Sequence, residues 1–137
     1  MYLDPAFIVQ DIIQADETLA QDIVDLNRYD QLYDKGIRAD GSTITPLYAN
    51  STIKYKIRDG QKWDHVTLND KGGAYESFNI AYSGGAFKIT ADLDKPGGNL
   101  AERYGKTILG LTEENIAIVR GWIKPRILDA VRKKVFE

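Results

Sequence analysis

The chain has 137 residues, 43% of them hydrophobic and 28% charged, with a formal net charge of −2 and no cysteine. That length suits one domain, and the apolar fraction is too high for a disordered chain of so small a net charge. The lack of cysteine excludes disulfides, thiolate metal sites and a thiol nucleophile, and a single histidine excludes an HExxH-type zinc site.

In chain order, Asp4-Pro5 is a helix-start signal, because Asp caps orphan amides and Pro at the first helical position loses no hydrogen bond. Phe7, Ile8, Ile12, Ala15, Leu19, Ile23 and Leu26 recur at helical spacing. A break is expected near Gln14 to Asp16, with resumption toward Tyr33 and a stop at Gly36. Residues 36–50 read as a loop around Asp40-Gly41-Ser42 and Thr45-Pro46. Ser51 to Arg58 fits a Ser51-capped helix or a strand equally. Val66-Thr67-Leu68 is a short apolar run before a turn at Asp70 to Gly73, and Ala74 to Phe78 suits a single helical turn. Phe78, Ile80 and Tyr82, then Phe87, Ile89 and Ala91, alternate on either side of Gly84-Gly85, which predicts a β-hairpin. Asp92 to Gly98 is a loop, and Asn99 to Tyr104 a short helix ended by Gly105. Thr112 caps a last helix carrying Glu113 and Glu114 in its first turn and Arg132, Lys133 and Lys134 near its end, as the helix dipole favours. Ile116, Val119, Ile123, Ile127 and Val131 line one face, and Pro125 should kink it.

These elements predict an α+β fold: an N-terminal amphipathic helix, a central antiparallel sheet with a β-hairpin, and a kinked C-terminal helix. One domain spans residues 1–137, with an acidic helical region at 1–34, a loop and β region at 36–105 and the C-terminal helix at 112–136. No apolar run reaches the roughly 18 residues needed to span a membrane, and Met1 to Pro5 carries no basic signal-peptide region. An intracellular, membrane-free protein is expected.

Charge is uneven. Residues 1–34 hold eight acids and one base, Arg28, whereas residues 120–137 hold six bases and two acids. Two solvated helix faces would explain this. So would an acidic end of one copy meeting the basic end of another, with the two potentials setting register and partner choice.

Reactive constellations are sparse. His65 stands in Trp63-Asp64-His65-Val66; neighbours in a strand point to opposite faces, so Asp64 is not expected to orient it, and a structural role is expected. Gly72-Gly73, Gly84-Gly85 and Gly97-Gly98 lack phosphate-loop spacing. Asp92-Leu93-Asp94 opens like a calcium loop, but Lys95-Pro96 follows and no Glu closes it. Lys54, Tyr55, Lys56, Arg58, Lys62 and Trp63 interleave bases with aromatics, a pattern that can serve nucleic acid. The sequence pI of about 5.4 argues against a dedicated binder, and Tyr55 is expected to pack inward. No catalytic residue, cofactor or metal is expected.

The middle of the chain carries Asp40-Gly41, then Thr45-Pro46-Leu47, then Ser51-Thr52-Ile53 with Lys54 and Lys56. Leu68-Asn69-Asp70-Lys71-Gly72-Gly73-Ala74-Tyr75-Glu76-Ser77-Phe78 follows, then the hairpin, then Ile108-Leu109-Gly110-Leu111-Thr112-Glu113-Glu114-Asn115 before the last helix. This order resembles the tailed-phage virion-morphogenesis and tail-completion (head–tail joining) proteins over roughly residues 31–125. Lys71 stands where that family usually has Thr, and no aromatic precedes Pro46-Leu47. The resemblance implies a structural, non-enzymatic component of the virion neck or tail, made in the bacterial host cytoplasm. Copies would form a ring that joins or completes the tail on the portal or connector, contacting portal, neck or tail proteins. Interface residues expected from charge and aromatic placement are Asp16, Asp22, Asp25, Lys54, Lys56, Arg58, Tyr75, Phe78, Arg126, Arg132, Lys133 and Lys134. A small adaptor domain binding another protein is the alternative.

Overall fold

The computed structural model describes residues 8–69, 73–96 and 98–136, without the side chains of Lys134 and Phe136. The expected helix start at Asp4-Pro5 and most of the turn at Asp70 to Gly73 lie outside these residues. The fold is α+β: helices surround a two-stranded antiparallel hairpin and a long helix closes the chain.

Helices α1 (Ile8–Gln14) and α2 (Glu17–Asp25) are separated at Ala15-Asp16. Asp16 is extended there, and its Oδ1 accepts from Leu19 N at 3.0 Å, so the break and the α2 cap are one residue's doing. Leu26–Lys35 then winds as a π-helix, which the apolar spacing did not foretell. Its wider turn sets Asn27 and Gln31 on one side, and both are fully buried. Gly36 ends it in the left-handed conformation (φ 63°), with Gly36 N–H donating to Leu32 O at 3.2 Å and Ile37 N–H to Gln31 O at 2.9 Å.

Residues 51–58 settle as a helix, α3 (Asn50–Arg58). Ala49 rather than Ser51 occupies the N-cap position. After the single turn α4 (Gly73–Glu76), the hairpin forms from β1 (Asn79–Ser83) and β2 (Ala86–Thr90). Ile80 pairs with Ile89 and Tyr82 with Phe87, which puts the apolar set on one face. Gly84 and Gly85 both have positive φ, 60° and 86°, the backbone that a tight two-residue hairpin turn requires. The expected antiparallel sheet is this hairpin, and there is a second two-stranded ribbon besides. The second joins β3 (Asp94–Lys95) to β4 (Gly98–Asn99) within the segment read as a loop. Asn99 caps α5 (Leu100–Tyr104), Gly105 ends it with φ 96°, and a 3₁₀ turn covers Lys106–Ile108. Helix α6 (Glu113–Phe136) opens with Asn115 N–H donating to Thr112 Oγ at 3.2 Å and runs on through Pro125.

Two apolar clusters hold these elements. The larger joins Val24, Leu32, Ile44, Val66, Tyr75, Phe78, Ile89, Tyr104 and Ile108. The smaller packs Ile13, Leu19 and Ile23 from α1 and α2 against Val119 and Ile123 of α6. Ile80 touches both, so the hairpin joins them. Each fully buried Ile or Leu contributes about 1.5–3 kcal/mol.

A buried amide network fixes the approach to α6. Asn27 Nδ2 donates to Ile108 O at 3.0 Å, and its Oδ1 accepts from Gly110 N at 2.8 Å. Gln31 Nε2 donates to Gly110 O at 2.8 Å, while its Oε1 accepts from Thr112 N at 2.9 Å and from Asn115 Nδ2 at 2.8 Å. Two amides thus satisfy a connecting loop whose polar backbone would otherwise be buried unpaired. Arg38 does the same for a second loop, donating to Tyr104 O, Thr43 O and Thr45 O at 2.6–2.9 Å.

Candidate functional site

The expected interface residues fall into three groups. The acids and bases of the two chain ends are the first, and α1 packs against α6. The acidic and basic helices are therefore neighbours in the same chain. Arg126 donates to Asp16 Oδ2 at 3.5 Å and to Trp122 O at 2.5 Å. Asp25 is taken by Arg28, which donates to it at 2.7 Å, to Gln21 Oε1 at 2.9 Å and to Tyr75 O at 2.9 Å. Asp22 stays exposed.

Tyr75, Phe78 and Lys56 form the second group, and burial corrects the expectation for all three. Tyr75 and Phe78 are core residues, 3% and 6% exposed, with their rings edge to face at 5.9 Å. The Tyr75 hydroxyl donates to Thr67 O, and burial pushes its pKa up, with Tyr48 next in effect. Lys56 is 7% exposed, whereas its neighbour Tyr55 is 60% exposed. In this nine-residue helix adjacent positions differ by about 100°, so the lysine turns inward and the tyrosine outward, the reverse of the expected packing. Lys54 and Arg58 remain exposed, with Arg58 lying 4.4 Å over the Tyr55 ring. The interleaved bases and aromatics therefore do not share one face.

The third group lies on the end of α6. Val119 and Ile123 are buried and Ile127 half-buried, as their spacing predicts, but Ile116 and Val131 on the same predicted face are 37% and 40% exposed. From Leu128 onward every described side chain except Ala130 is exposed, Arg132 and Lys133 among them. The Lys134 side chain lies outside the described residues. Leu128, Val131 and Val135 follow at spacings of three and four, and are 55%, 40% and 67% exposed. They make an apolar stripe flanked by Lys124 and Arg132 along about 10 Å of helix that the core does not cover. Beside the base of this segment, Val9, Phe87, Leu111, Val119, Ile123 and Ile127 line an apolar groove of about 360 Å³.

His65 is 15% exposed in its side chain and sits in a bend, not a strand. Asp64 Oδ1 therefore reaches His65 Nδ1 at 2.9 Å, contrary to the expectation from alternation. Its Nε2 meets Tyr33 O at 2.5 Å, and the ring fills the space above Gly36.

A larger cavity, about 770 Å³, opens between α3, α4, β3 and α5. Lys56, Lys95, Tyr48 and Tyr104 line it. Burial raises the Tyr104 pKa. Sequence reading missed this cavity because its walls come from short elements and loops spread between Tyr48 and Tyr104. Among the described residues no group of three or more His, Asp or Glu is placed to hold a metal ion, and no helix is long and apolar enough to cross a membrane. Comparisons with protein-family models, curated proteins and solved structures find no match to this chain.

Proposed function

We propose that the chain is a structural part of a tailed-phage neck, assembling as a ring that joins or completes the tail on the portal. The observation that carries the reading is the end of α6, where Leu128, Val131 and Val135 lie exposed beside Arg132 and Lys133. An apolar stripe of this kind is costly on a free surface and suits a contact. The acid-rich surface of α1 and α2, with Asp11, Glu17 and Asp22 exposed, offers the matching charge on a neighbouring copy. Such a contact is heterologous, one surface against a different one, which is the kind that closes into a ring. The ordered motifs from Asp40-Gly41 to Leu109-Gly110-Leu111 support the placement in the neck by their resemblance to the tail-completion proteins.

Mass spectrometry of purified particles, from the virus whose genome carries this sequence, tests the reading. The chain is expected in mature particles at a fixed copy number per portal. Its absence from particles, with recovery of a cellular protein complex instead, would overturn the neck assignment in favour of an adaptor role.

A further inference from the structure

The cavity between α3, α4, β3 and α5 contains a charge that the fold alone does not explain. Lysine is almost never fully buried unless paired. Among the described residues, Lys56 Nζ nevertheless donates only to Gln61 Oε1 at 3.2 Å and Asn69 O at 3.4 Å, and lies 4.6 Å from the Tyr48 ring centre. All three partners are neutral. No carboxylate among the described residues lies within ion-pairing distance of it. Asp59 also lines the cavity, but its Oδ1 is 3.3 Å from Arg58 Nε.

A second cation stands in the same wall. Lys95 is half-buried, and among the described residues its ammonium makes no hydrogen bond or ion pair. Its Nζ lies 3.1 Å from where a Cβ on Gly73 would stand, so glycine at that position leaves it room. Leu68 lines the cavity as well, in the left-handed backbone region (φ 59°) that an L-leucine rarely adopts. Backbone held in such a conformation clusters at ligand clamps, and here it precedes Asn69, whose carbonyl faces Lys56. Tyr48, Ala74, Pro96, Leu100 and Tyr104 supply flat and apolar wall. A volume of about 770 Å³ falls within the range of small-molecule sites.

We infer that this cavity binds a small organic anion: a carboxylate or phosphate monoester carried on a flat apolar body. Its negative group is held by the Lys56 and Lys95 ammoniums and its body lies against Tyr48 and Tyr104. The bound anion supplies a counter-charge that none of the described residues gives Lys56. This site is independent of the assembly proposed above, and either reading stands if the other fails.

The test titrates phenyl phosphate, benzoate and the neutral benzyl alcohol into the full chain, read by calorimetry and by thermal unfolding. At least one anion is expected to bind saturably at one site per chain, about tenfold or more tighter than benzyl alcohol, and to raise the unfolding midpoint. Lys56→Met and Lys95→Met should each weaken anion binding about tenfold. Lys56→Met without ligand should unfold at the same or a higher temperature, because it removes a buried charge that has no counter-charge among the described residues. No saturable binding of either anion, equal binding of benzyl alcohol, or wild-type affinity in both variants would overturn the inference. If Lys56→Met does not fold, Lys95→Met decides the affinity test alone.

Discussion

Asp16 and Arg126, 110 positions apart, meet at 3.5 Å where the acid-rich start of the chain crosses the base-rich end. Asp16 has a second duty, since its other oxygen caps α2 at Leu19 N. The remaining bases, beyond Arg126, travel outward on α6 away from that crossing. Charge that the sequence separates by a hundred residues is thus neutralised within the chain at that point, while further along α6 Lys133 pairs with Asp129 at 3.2 Å and Arg132 is exposed.

The two duties of Asp16 separate by mutation. Arg126→Ala should cost about 0.2–1 kcal/mol, because the pair is 42% and 38% exposed and solvent screens it. Asp16→Ala should cost more, about 1–2 kcal/mol, by losing the cap as well. Asp16→Asn should fall near the Arg126→Ala value, since Asn also caps. Urea unfolding of the three variants checks the order.

The Gln31 amide is expected to be among the most sensitive polar groups. Gln31→Leu leaves Gly110 O and Thr112 N without their side-chain partner, and the Asn115 amide with Asp30 alone, and should destabilise by about 3 kcal/mol. Gln31→Glu keeps the acceptor for Thr112 N but faces Gly110 O with an oxygen, and should also destabilise. A Gln31→Leu variant as stable as the parent would contradict the role given to the network.

Gly36 is required twice, for its φ of 63° and for its closeness to His65. A Cβ there would stand 2.7 Å from His65 Cδ2. Gly36→Ala should therefore cost more than the roughly 1–2 kcal/mol of left-handed strain alone. Gly41→Ala, at φ 85° with open space around it, should cost only that strain. The His65→Ala, Gly36→Ala double variant should be more stable than the sum of its parts predicts.

Alkaline sensitivity follows from the buried tyrosines. Burial raises the pKa of Tyr75 and of Tyr104 above the ordinary phenol value near 10. A raised folded-state value means that stability is fully present below about pH 10 and is lost as pH climbs beyond it, because the unfolded chain releases those protons first. Tyr75→Phe should flatten this loss while lowering stability at neutral pH by about 1 kcal/mol, through the missing hydrogen bond to Thr67 O. Unfolding free energies measured from pH 7 to 11 check both signs.

Legibility in the sequence tracked how local the cause was. The Asp16 break, the Gly36 stop, the Thr112 cap and the Gly84-Gly85 hairpin were readable because each depends on a few adjacent residues with a fixed geometric preference. The π winding of Leu26–Lys35 was not, because it serves Asn27 and Gln31 in reaching a loop some eighty residues later. Lys56 misled for a related reason. Charge marks a residue as a surface group, and only the cavity formed by α4, β3 and α5 gives an inward lysine a place. The stripe on α6 was half legible: the spacing gave an apolar face, but not that the core ends at Ile127.

The claim that the end of α6 joins copies of the chain is tested most directly by sedimentation velocity. The parent is compared with a triple variant carrying Leu128→Asp, Val131→Asp and Val135→Asp. The parent is expected to form concentration-dependent species larger than the 15.4 kDa monomer, weakened by salt as charge complementarity requires. The triple variant should stay monomeric with an unchanged unfolding midpoint, because none of the three side chains is buried. A parent that remains a monomer at every concentration, or a triple variant that assembles as the parent does, would contradict the claim.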